Sequence, residues 1–312
     1  MPDVACVGVM VADVLVRPVD RWPEPGRLCV VESIEVHTGG LAHTTAMTLA
    51  RLGVSTAVVG RVGRDFLGGF LLDALRTHGI EVHVIQDDHT QTSATVVMVA
   101  GNGERSFLHV TGANARMRVE DVPQDLLART RFLHLGGFFI LPSIDGEPAA
   151  RLLQRAQSLG CRTSLDMAWD PSGRWMTLLA PCLPHLDLLF GNRDELSCVT
   201  GAHDVARMAA LLRERGVGVV VVKLGEEGSY VDGGHWCGRV PAFDVRVVDT
   251  TGAGDAFCGG FLAGLLQGWS LEQTARFANA VGALCVTAVG GSTGARSTAE
   301  VLEFMRGAPV RS

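Results

Sequence analysis

The chain has 312 residues, of which 47% are hydrophobic and 19% charged, and its formal net charge is −6. A chain this long and this apolar buries most of its surface, which excludes a disordered protein and favours one large α/β domain, alone or with a small attachment. Acidic residues outnumber basic ones by 33 to 27 and no basic run stands out, so a nucleic-acid-binding protein is excluded as well.

The first third of the chain combines a buried strand with two exposed β units. Residues 4–10 form a nearly continuous apolar run, which is typical of a strand buried on both faces. Within 11–37, alternating segments flank the turn-rich stretch 21–26 and predict two exposed antiparallel strands. A second unit spans 92–111, where Gly101-Asn-Gly103 predicts a β-hairpin. The two units could form one small sheet standing off the main body.

The rest of the chain alternates predicted strands and helices, which indicates right-handed βαβ units and a parallel sheet covered on both faces. The predicted strands are 55–60, 132–135, 162–166, 186–190, 217–224 and 245–248, and the predicted helices are 44–52, 66–77, 147–158, 204–215, 255–267 and 271–288. We therefore expect an α/β core made of 1–10, 38–91 and 112–312, with a β attachment made of 11–37 and 92–111.

Cysteine spacing and the N-terminus indicate the compartment. Eight cysteines are scattered without a Cys-x-x-Cys pair, so metal-binding and redox spacings are missing. The N-terminal apolar run lacks a positive flank and is interrupted by Asp13, which does not fit a signal peptide. No apolar stretch reaches the ~20 residues of a membrane helix. We expect a soluble, reduced, cytoplasmic protein with neither a membrane nor a nucleic-acid partner.

Two common nucleotide-binding motifs are absent from the sequence. A Walker A loop ends in Gly-Lys-Ser/Thr, but the only lysine of the chain, Lys223, lies in Val-Val-Lys-Leu-Gly. The dinucleotide fingerprint Gly-x-Gly-x-x-Gly does not follow the first strand, where Gly8 precedes Val-Met-Val. P-loop chemistry is thereby excluded, and an NAD-dependent dehydrogenase is disfavoured.

The segment 249–261, Asp-Thr-Thr-Gly-Ala-Gly-Asp-Ala-Phe-Cys-Gly-Gly-Phe, predicts an anion-binding turn followed by an apolar helix. The first-turn amides of a helix are unpaired and lie at the positive end of its dipole, and glycines at 252 and 254 let a phosphate approach them. Asp255 then lies beside the anion, where a carboxylate can take a proton from an attacking hydroxyl. The alternative is that Asp255 only stabilises the helix N-terminus.

This segment resembles the C-terminal signature of the ribokinase-like (PfkB) carbohydrate kinase family. The family's N-terminal signature, a Gly-Gly pair followed by a helix and a Gly-x-Val-Gly-x-Asp segment, is similar to 39–65 here. Three further segments fall in family order: Gly112-Ala-Asn114, Asn192-Arg-Asp-Glu195 and Lys223-Leu-Gly-Glu-Glu-Gly228. The resemblance covers nearly the whole chain, from about Cys6 to about Gly294.

The resemblance implies a Rossmann-like three-layer α/β sandwich with a central, mostly parallel sheet and a small β-sheet lid. It also implies transfer of the ATP γ-phosphoryl group to a hydroxymethyl group of a small sugar or sugar derivative. Asp255 is then the general base, and the amides of Gly252, Ala253 and Gly254 form the anion hole. Phosphoryl transfer needs mostly positioning and charge stabilisation, so a site without a Walker lysine is adequate.

On the nucleotide side, Asn192 and Glu195 resemble the family's Asn-x-x-Glu, which helps to order Mg²⁺ and its waters; on spacing alone they equally fit a capping box. The resemblance further places ATP against Lys223, Gly225, Gly228 and Asn279, and a monovalent cation, K⁺ in particular, at Asp249 and Thr251. Taken alone, Lys223 is instead a surface charge at a strand end, and Asn279 an ordinary polar residue of a helix.

On the sugar side, Asp13 matches the family's substrate-binding aspartate, whose acceptor oxygens suit a pair of hydroxyls. Gly39 and Gly40 would admit the sugar close to the backbone. Thr44 replaces the asparagine that is common in the family, so a different hydroxyl pattern is expected. Arg105 either reaches the substrate or is an exposed strand charge.

Two other functions remain open at this stage. One is a nucleoside kinase of the same fold, and the other is a regulator that binds a sugar or nucleotide without catalysis. The intact Gly-Ala-Gly-Asp segment disfavours the regulator, because a protein that only binds its ligand needs no general base. We further expect a homodimer formed through the lid, since an open sheet edge invites pairing.

Overall fold

The computed structural model describes residues 1–22, 24–102, 104–290, 294 and 296–311, so Gly103 of the predicted hairpin turn lies outside the described residues. In these ranges the strands are β1 Val4–Gly8, β2 Val11–Arg17, β3 Ser33–Gly39, β4 Thr56–Gly63, β5 Glu81–Asp87, β6 Ala94–Val99, β7 Arg105–Val110, β8 Phe132–Phe138, β9 Arg162–Met167, β10 Leu188–Asn192, β11 Val219–Lys223, β12 Ser229–Asp232 and β13 Cys237–Val240. The helices are α1 Leu41–Arg51, α2 Phe66–Thr77, α3 Gln124–Ala128, α4 Glu147–Ser158, α5 Trp175–Leu179, α6 Arg193–Thr200, α7 Val205–Arg213, α8 Ala253–Leu266, α9 Leu271–Cys285 and α10 Thr298–Gly307.

The larger sheet has the strand order β13-β12-β11-β10-β9-β8-β1-β4-β5. Neighbours from β11 to β5 pair in parallel, whereas β12 and β13 are antiparallel. Side chains of α3 to α7 pack on one face, and those of α1, α2, α8, α9 and α10 on the other. The predicted three-layer α/β sandwich is confirmed. Within the described ranges, no helix has the length and apolar character needed to cross a membrane.

The smaller sheet is built from the two predicted β units, in the order β3-β2-β6-β7. β2 pairs antiparallel with β3 and parallel with β6, and β6 and β7 form the predicted hairpin. Because alternate residues of a strand point to opposite faces, one row across this sheet contains His37, Asp13, Thr95 and His109. This sheet carries Asp13 and Arg105 toward the larger body.

The start of α1 is fixed by a glycine and lies earlier than predicted. Gly40 adopts a positive φ of 91° and caps the helix. A Cβ at this position would lie 2.6 Å from the carbonyl oxygen of Val9, so a side chain cannot be accommodated there. The helix therefore begins at Leu41 and places Thr44 and Thr45 in its buried first turns.

Some predicted elements are wrong and others were not predicted. Among the described residues, the predicted strand 245–248 pairs with no other strand. The amides of Val248 and Asp249 instead donate to the Val286 carbonyl at 2.7 and 3.2 Å. Val247 and Val248 are about half exposed, which explains why their β-like pattern builds no sheet. β5 went unpredicted because it is a partly exposed edge strand with a polar sequence. α10 was not predicted, and the start of α6 was predicted only as the capping-box alternative for Asn192 and Glu195.

Candidate active site

The N-terminus of α8 provides an anion-binding turn. Gly252 caps the helix in the left-handed conformation with φ 72°, which glycine adopts without strain. The Ala253 amide donates to the Thr250 carbonyl at 3.3 Å and closes the turn. The first turn of the helix presents its amides at the positive end of the dipole. Gly252, Ala253 and Gly254 are the residues whose amides were predicted to form the anion hole. The Ala253 amide already donates a hydrogen bond within the turn, and the amides of Gly252 and Gly254 lie on either side of it.

Asp255 lies in the first turn of α8 and is partly buried. Burial and the neighbouring carboxylate of Asp166 raise the pKa of Asp255 to about 7, although Lys223 opposes the increase. The Asp255 carbonyl accepts a hydrogen bond from Thr45 Oγ1 at 3.2 Å, which fixes the turn against α1. A carboxyl group whose pKa lies near neutrality is suited to take up and release a proton.

Lys223 is an internal cation and not a surface charge. Its Nζ lies 2.6 Å from Oδ1 of Asp166, and the two side chains are 15% and 0% exposed. Burial lowers the pKa of Lys223, but the Asp166 carboxylate raises it more, so the ammonium keeps its charge. The pair forms because β9 and β11 flank β10 and end at the same edge of the sheet.

Arg105 links the smaller sheet to the turn that precedes α8. Its Nη2 lies 2.9 Å from Oδ1 of Asp249, and its Nη1 donates to the hydroxyls of Thr250 and Thr251 at 3.3 Å. The Arg105 side chain is 24% exposed, so its interpretation as an exposed strand charge is wrong. A direct contact between Arg105 and the substrate stays a prediction.

The carboxylate of Asp249 is already well supplied with donors. The amides of Thr251 and Gly290 donate to Oδ1 and Oδ2 at 2.8 and 2.9 Å. Burial raises the pKa of Asp249, but these hydrogen bonds and Arg105 outweigh burial and leave the pKa below its ordinary value. A monovalent cation at Asp249 would compete with these donors, and that site stays a prediction.

Asp13, on β2, lies near Asp249 and Asp255. A Cβ on Gly39 would lie 2.1 Å from Oδ2 of Asp13, so glycine at 39 leaves room for this carboxylate. Burial raises the pKa of Asp13 to about 6, while a hydrogen bond from Thr95 and the proximity of His37 lower it. Thr44 is 1% exposed on α1, which begins directly after Gly39 and Gly40.

Asn192 and Glu195 form a reciprocal capping box at the start of α6. The Glu195 amide donates to Oδ1 of Asn192, and the Asn192 amide to Oε2 of Glu195, both at 2.8 Å. Burial raises the pKa of Glu195 to about 6, and Lys223 counteracts this increase. The capping-box interpretation is therefore confirmed, and a role of these residues near Mg²⁺ stays a prediction.

A cavity of about 420 Å³ opens beside α8, between that helix and the loop after β11. Its walls include Lys223, Gly225, Gly228, Gly254 and Asn279. Asn279 is buried, and its Nδ2 donates to the Val240 and Pro241 carbonyls at 2.9 and 3.1 Å, which holds this wall in place. The predicted nucleotide residues of the β11 loop and α9 thus converge on one cavity at the first turn of α8, the turn that contains Asp255.

The sequence of this chain matches a known family of enzymes. Residues 1–298 match the model of the pfkB family carbohydrate kinases. This chain belongs to that family. It is 29% identical over 305 residues to the nucleoside kinase of Methanothermobacter thermautotrophicus, which covers 96% of this chain and 94% of the relative. It is also 29% identical to fructokinase-2 of Oryza sativa over 269 residues, or 81% of this chain and 80% of the relative.

Among solved structures, a ribokinase of Arabidopsis thaliana complexed with ribose and ATP has the same fold. Its TM-score to this chain is 0.82 at 27% identity, over 98% of this chain and 99% of the ribokinase. The pfkB protein described here is thus a sugar or nucleoside kinase of the ribokinase type, and a phosphotransferase, as the sequence predicted.

Several residues of the candidate site have no role assigned from the sequence. In the sequence, Asp166 follows a core strand, and from this position it could line the nucleotide or the sugar side. Thr45, Thr95 and His37 offer no comparable pattern, although all three contact or influence the candidate site. The position of Asp166 is the carboxyl end of β9, where ligands of parallel sheets bind. The other three residues contact the site across elements distant in sequence, which leaves no local pattern.

Proposed function

We propose that this pfkB kinase transfers the γ-phosphoryl group of ATP to a hydroxymethyl group of a small sugar or sugar derivative, with Asp255 as general base. One observation carries the proposal: a carboxyl group with a pKa of about 7 stands in the first turn of α8, beside the amides of an anion-binding helix end. Phosphoryl transfer requires a base and a charge-stabilising group in this proximity.

In the proposed reaction, Asp255 accepts the hydroxyl proton while the substrate oxygen forms a bond to the γ-phosphorus. The bond between that phosphorus and the bridging oxygen breaks, and ADP leaves with the electron pair. The amides of Gly252 and Gly254 donate hydrogen bonds to the phosphoryl oxygens, where negative charge accumulates. Asp255 then releases its proton to solvent.

The nucleotide occupies the cavity beside α8, against Gly225, Gly228 and Asn279. Mg²⁺ fits this site as an ion carried mainly by phosphates and waters, because the described residues contain no group of three or more His, Cys, Asp or Glu that could hold a metal. Asn192 and Glu195 would order the water shell of this ion. When bound, Mg²⁺ neutralises charge on the phosphates. A requirement for K⁺ stays a prediction.

The sugar binds between the smaller sheet and α1. Asp13 accepts hydrogen bonds from the sugar hydroxyls, and Gly39 and Gly40 let the sugar approach the backbone. Thr44 supplies one hydroxyl in place of an amide, which changes the pattern of hydroxyls that the site accepts. In this proposal residues 11–37 and 92–111 act as the lid, held to the core by Arg105, and its closure limits hydrolysis of ATP by water.

Replacing Gly39 with Ala should raise the KM for the sugar about tenfold without lowering stability. The new methyl group would overlap Oδ2 of Asp13, a side-chain atom that can move, so Asp13 shifts and the backbone does not. Steady-state kinetics and thermal unfolding measure the two effects. Gly69→Ala is the matched control, because a Cβ there meets nothing within 4 Å. An unchanged KM would remove Gly39 and Asp13 from the sugar site.

The pH profile of kcat/KM should fall on the acid side of about pH 7. The base must be deprotonated, and the pKa of Asp255 is about 7, so activity declines as pH decreases through that value. The pKa of Asp13 is about 6, so the decline should steepen below it as the acceptor carboxylate is protonated. Initial rates between pH 5 and pH 9 measure this profile. A profile that stays flat down to pH 5 contradicts both roles.

The outer face of the smaller sheet is apolar, and we include in the proposal that a second copy of the chain covers it. Val36, Val14, Val96 and Leu108 form one row across this face, and Ile34 lies in the next. Ile34 is 65% exposed and Leu108 50%. Sedimentation should give a dimer for the wild type and a monomer for the double variant Ile34→Asp, Leu108→Asp. A wild-type monomer at micromolar concentration contradicts this assembly.

The proposed function is tested by ADP release from Mg-ATP across hexoses, pentoses, ketoses, sugar acids and nucleosides. We expect one strong sugar substrate whose turnover is lost in Asp255→Asn. Nucleosides belong in the panel because Phe107 is 60% exposed in the register that faces the site, where its ring could stack on a base. If a nucleoside is the best substrate, the result favours a nucleoside kinase. If ATP binds but no compound is phosphorylated, the result favours a regulator without catalysis.

A further inference from the structure

The only lysine of the chain is held inside the site by a buried carboxylate. Lys223 ends β11, and its Nζ lies 2.6 Å from Oδ1 of Asp166, which is completely buried. Oδ2 of Asp166 is buried as well. The Cys258 thiol and the Met167 amide also stabilise this carboxylate, but the Lys223 ammonium does so more strongly.

The ammonium is held directly beside the anion-binding turn. A Cβ on Gly254 would lie 3.2 Å from Nζ of Lys223 and 3.7 Å from its Cδ, so the end of the lysine runs along the first turn of α8. Lys223 and Gly254 also share the wall of the 420 Å³ cavity. A fixed positive charge and the first turn of α8 thus border the same space, and Asp255 follows Gly254 in that turn.

A structural role alone does not explain this placement. A buried ion pair contributes little net stability compared with apolar side chains of the same size, because both charges lose their hydration. An ammonium has three N–H donors, and the described residues accept one of them, at Asp166. The remaining donors are available to a ligand in the cavity.

We infer that Lys223 is a catalytic residue that donates a hydrogen bond to the phosphoryl group in transfer, and that Asp166 is a positioning residue that holds the Lys223 ammonium beside Gly254. This inference rests on the proposed ATP-dependent reaction. Lys223 keeps its proton throughout, and Asp255 takes the proton of the attacking hydroxyl. The contact strengthens as negative charge develops on the phosphoryl oxygens, and therefore lowers the barrier.

The two residues also act in opposite directions on Asp255, which gives a second measurable signature. Asp166 raises the pKa of Asp255 and Lys223 lowers it. The charged and titratable groups that face Asp255 are Asp13 from β2, Asp166 from β9, Glu195 from α6, Lys223 from β11, Cys258 from α8 and Cys285 from α9. Removing Lys223 should thus move the acid limb of the pH profile to higher pH, and neutralising Asp166 should move it to lower pH.

The test compares Lys223→Met, Asp166→Asn and the double variant with the wild type. We expect kcat to fall about 100-fold in Lys223→Met, the scale for removing one charge-stabilising donor, and about tenfold in Asp166→Asn. Lys223→Met leaves the Asp166 carboxylate buried without its partner, so its melting temperature should fall. The double variant removes that charge, and it should recover stability while kcat stays as low as in Lys223→Met. Arg207→Met, which removes a surface cation, is the control.

Two outcomes overturn the inference. One is a kcat within threefold of the wild type in Lys223→Met or in the folded double variant. The other is that the acid limbs of the pH profiles of Lys223→Met and Asp166→Asn shift in the same direction relative to the wild type, or do not shift. If the wild type phosphorylates a sugar and Asp255→Asn does not, either outcome removes only the role of Lys223. A wild type that transfers no phosphoryl group to any acceptor overturns the proposed function, and this inference with it.

Discussion

Replacing Asp255 with Asn should lower turnover by about 10²–10⁴-fold, the usual contribution of a general base. The amide has the shape of the carboxylate but cannot accept the hydroxyl proton. The affinity for ATP should stay close to the wild-type value, because the first-turn amides of α8 and the walls of the cavity are unchanged. Steady-state kinetics and calorimetric titration with ATP measure the two quantities. Asp73→Asn, an exposed carboxylate on α2, is the matched control.

The same substitution should leave stability unchanged or increase it. The pKa of Asp255 is raised from 3.8 to about 7, so between these values the folded protein keeps a proton that the unfolded chain has lost. Stability therefore declines as pH rises through this window, and above it the folded state carries an unfavourable charge. A neutral amide removes that charge, so Asp255→Asn should not melt below the wild type at pH 8. Turnover within tenfold of the wild type would contradict the role of Asp255 as base.

Replacing Asp13 with Asn should lower kcat/KM for the sugar by about 10²–10³-fold, mainly through KM. A hydrogen bond to a charged group contributes about 1.5–3 kcal/mol, and the proposal assigns two of them to Asp13. The ATP site lies elsewhere, so the KM for ATP should change little. Kinetics with each substrate varied in turn measure this difference, with the exposed Asp88→Asn as control. Equal losses for the sugar and for ATP would indicate a structural role for Asp13.

Local patterns in the sequence predict most of the scaffold. The continuous apolar run at 4–10 predicts β1, and the Asp249–Phe261 segment predicts the N-terminus of α8, because strand burial and helix starts depend on neighbouring residues. The same reasoning fails at 245–248, since a β-like pattern forms a strand only where a partner strand is available. The half-exposed Val247 and Val248 have no such partner in the part of the chain that the structure describes.

The contacts that define the site could not be predicted in this way. Lys223 and Asp166 are 57 residues apart, and they meet only because the order of strands places β9 and β11 on either side of β10. Arg105 and Thr250 are 145 positions apart in the sequence. They meet because the smaller sheet packs against the larger domain. No local sequence pattern around Lys223 or Arg105 indicates which distant residue each of them contacts.

The most direct test of the proposed reaction is the proton-coupled ³¹P NMR spectrum of the product formed from ATP and the best sugar acceptor. We expect a phosphate ester signal split into a triplet by the two protons of a hydroxymethyl carbon, formed by the wild type and not by Asp255→Asn. A doublet from a secondary hydroxyl would contradict the predicted acceptor group. A singlet of inorganic phosphate alone would contradict phosphoryl transfer to a sugar.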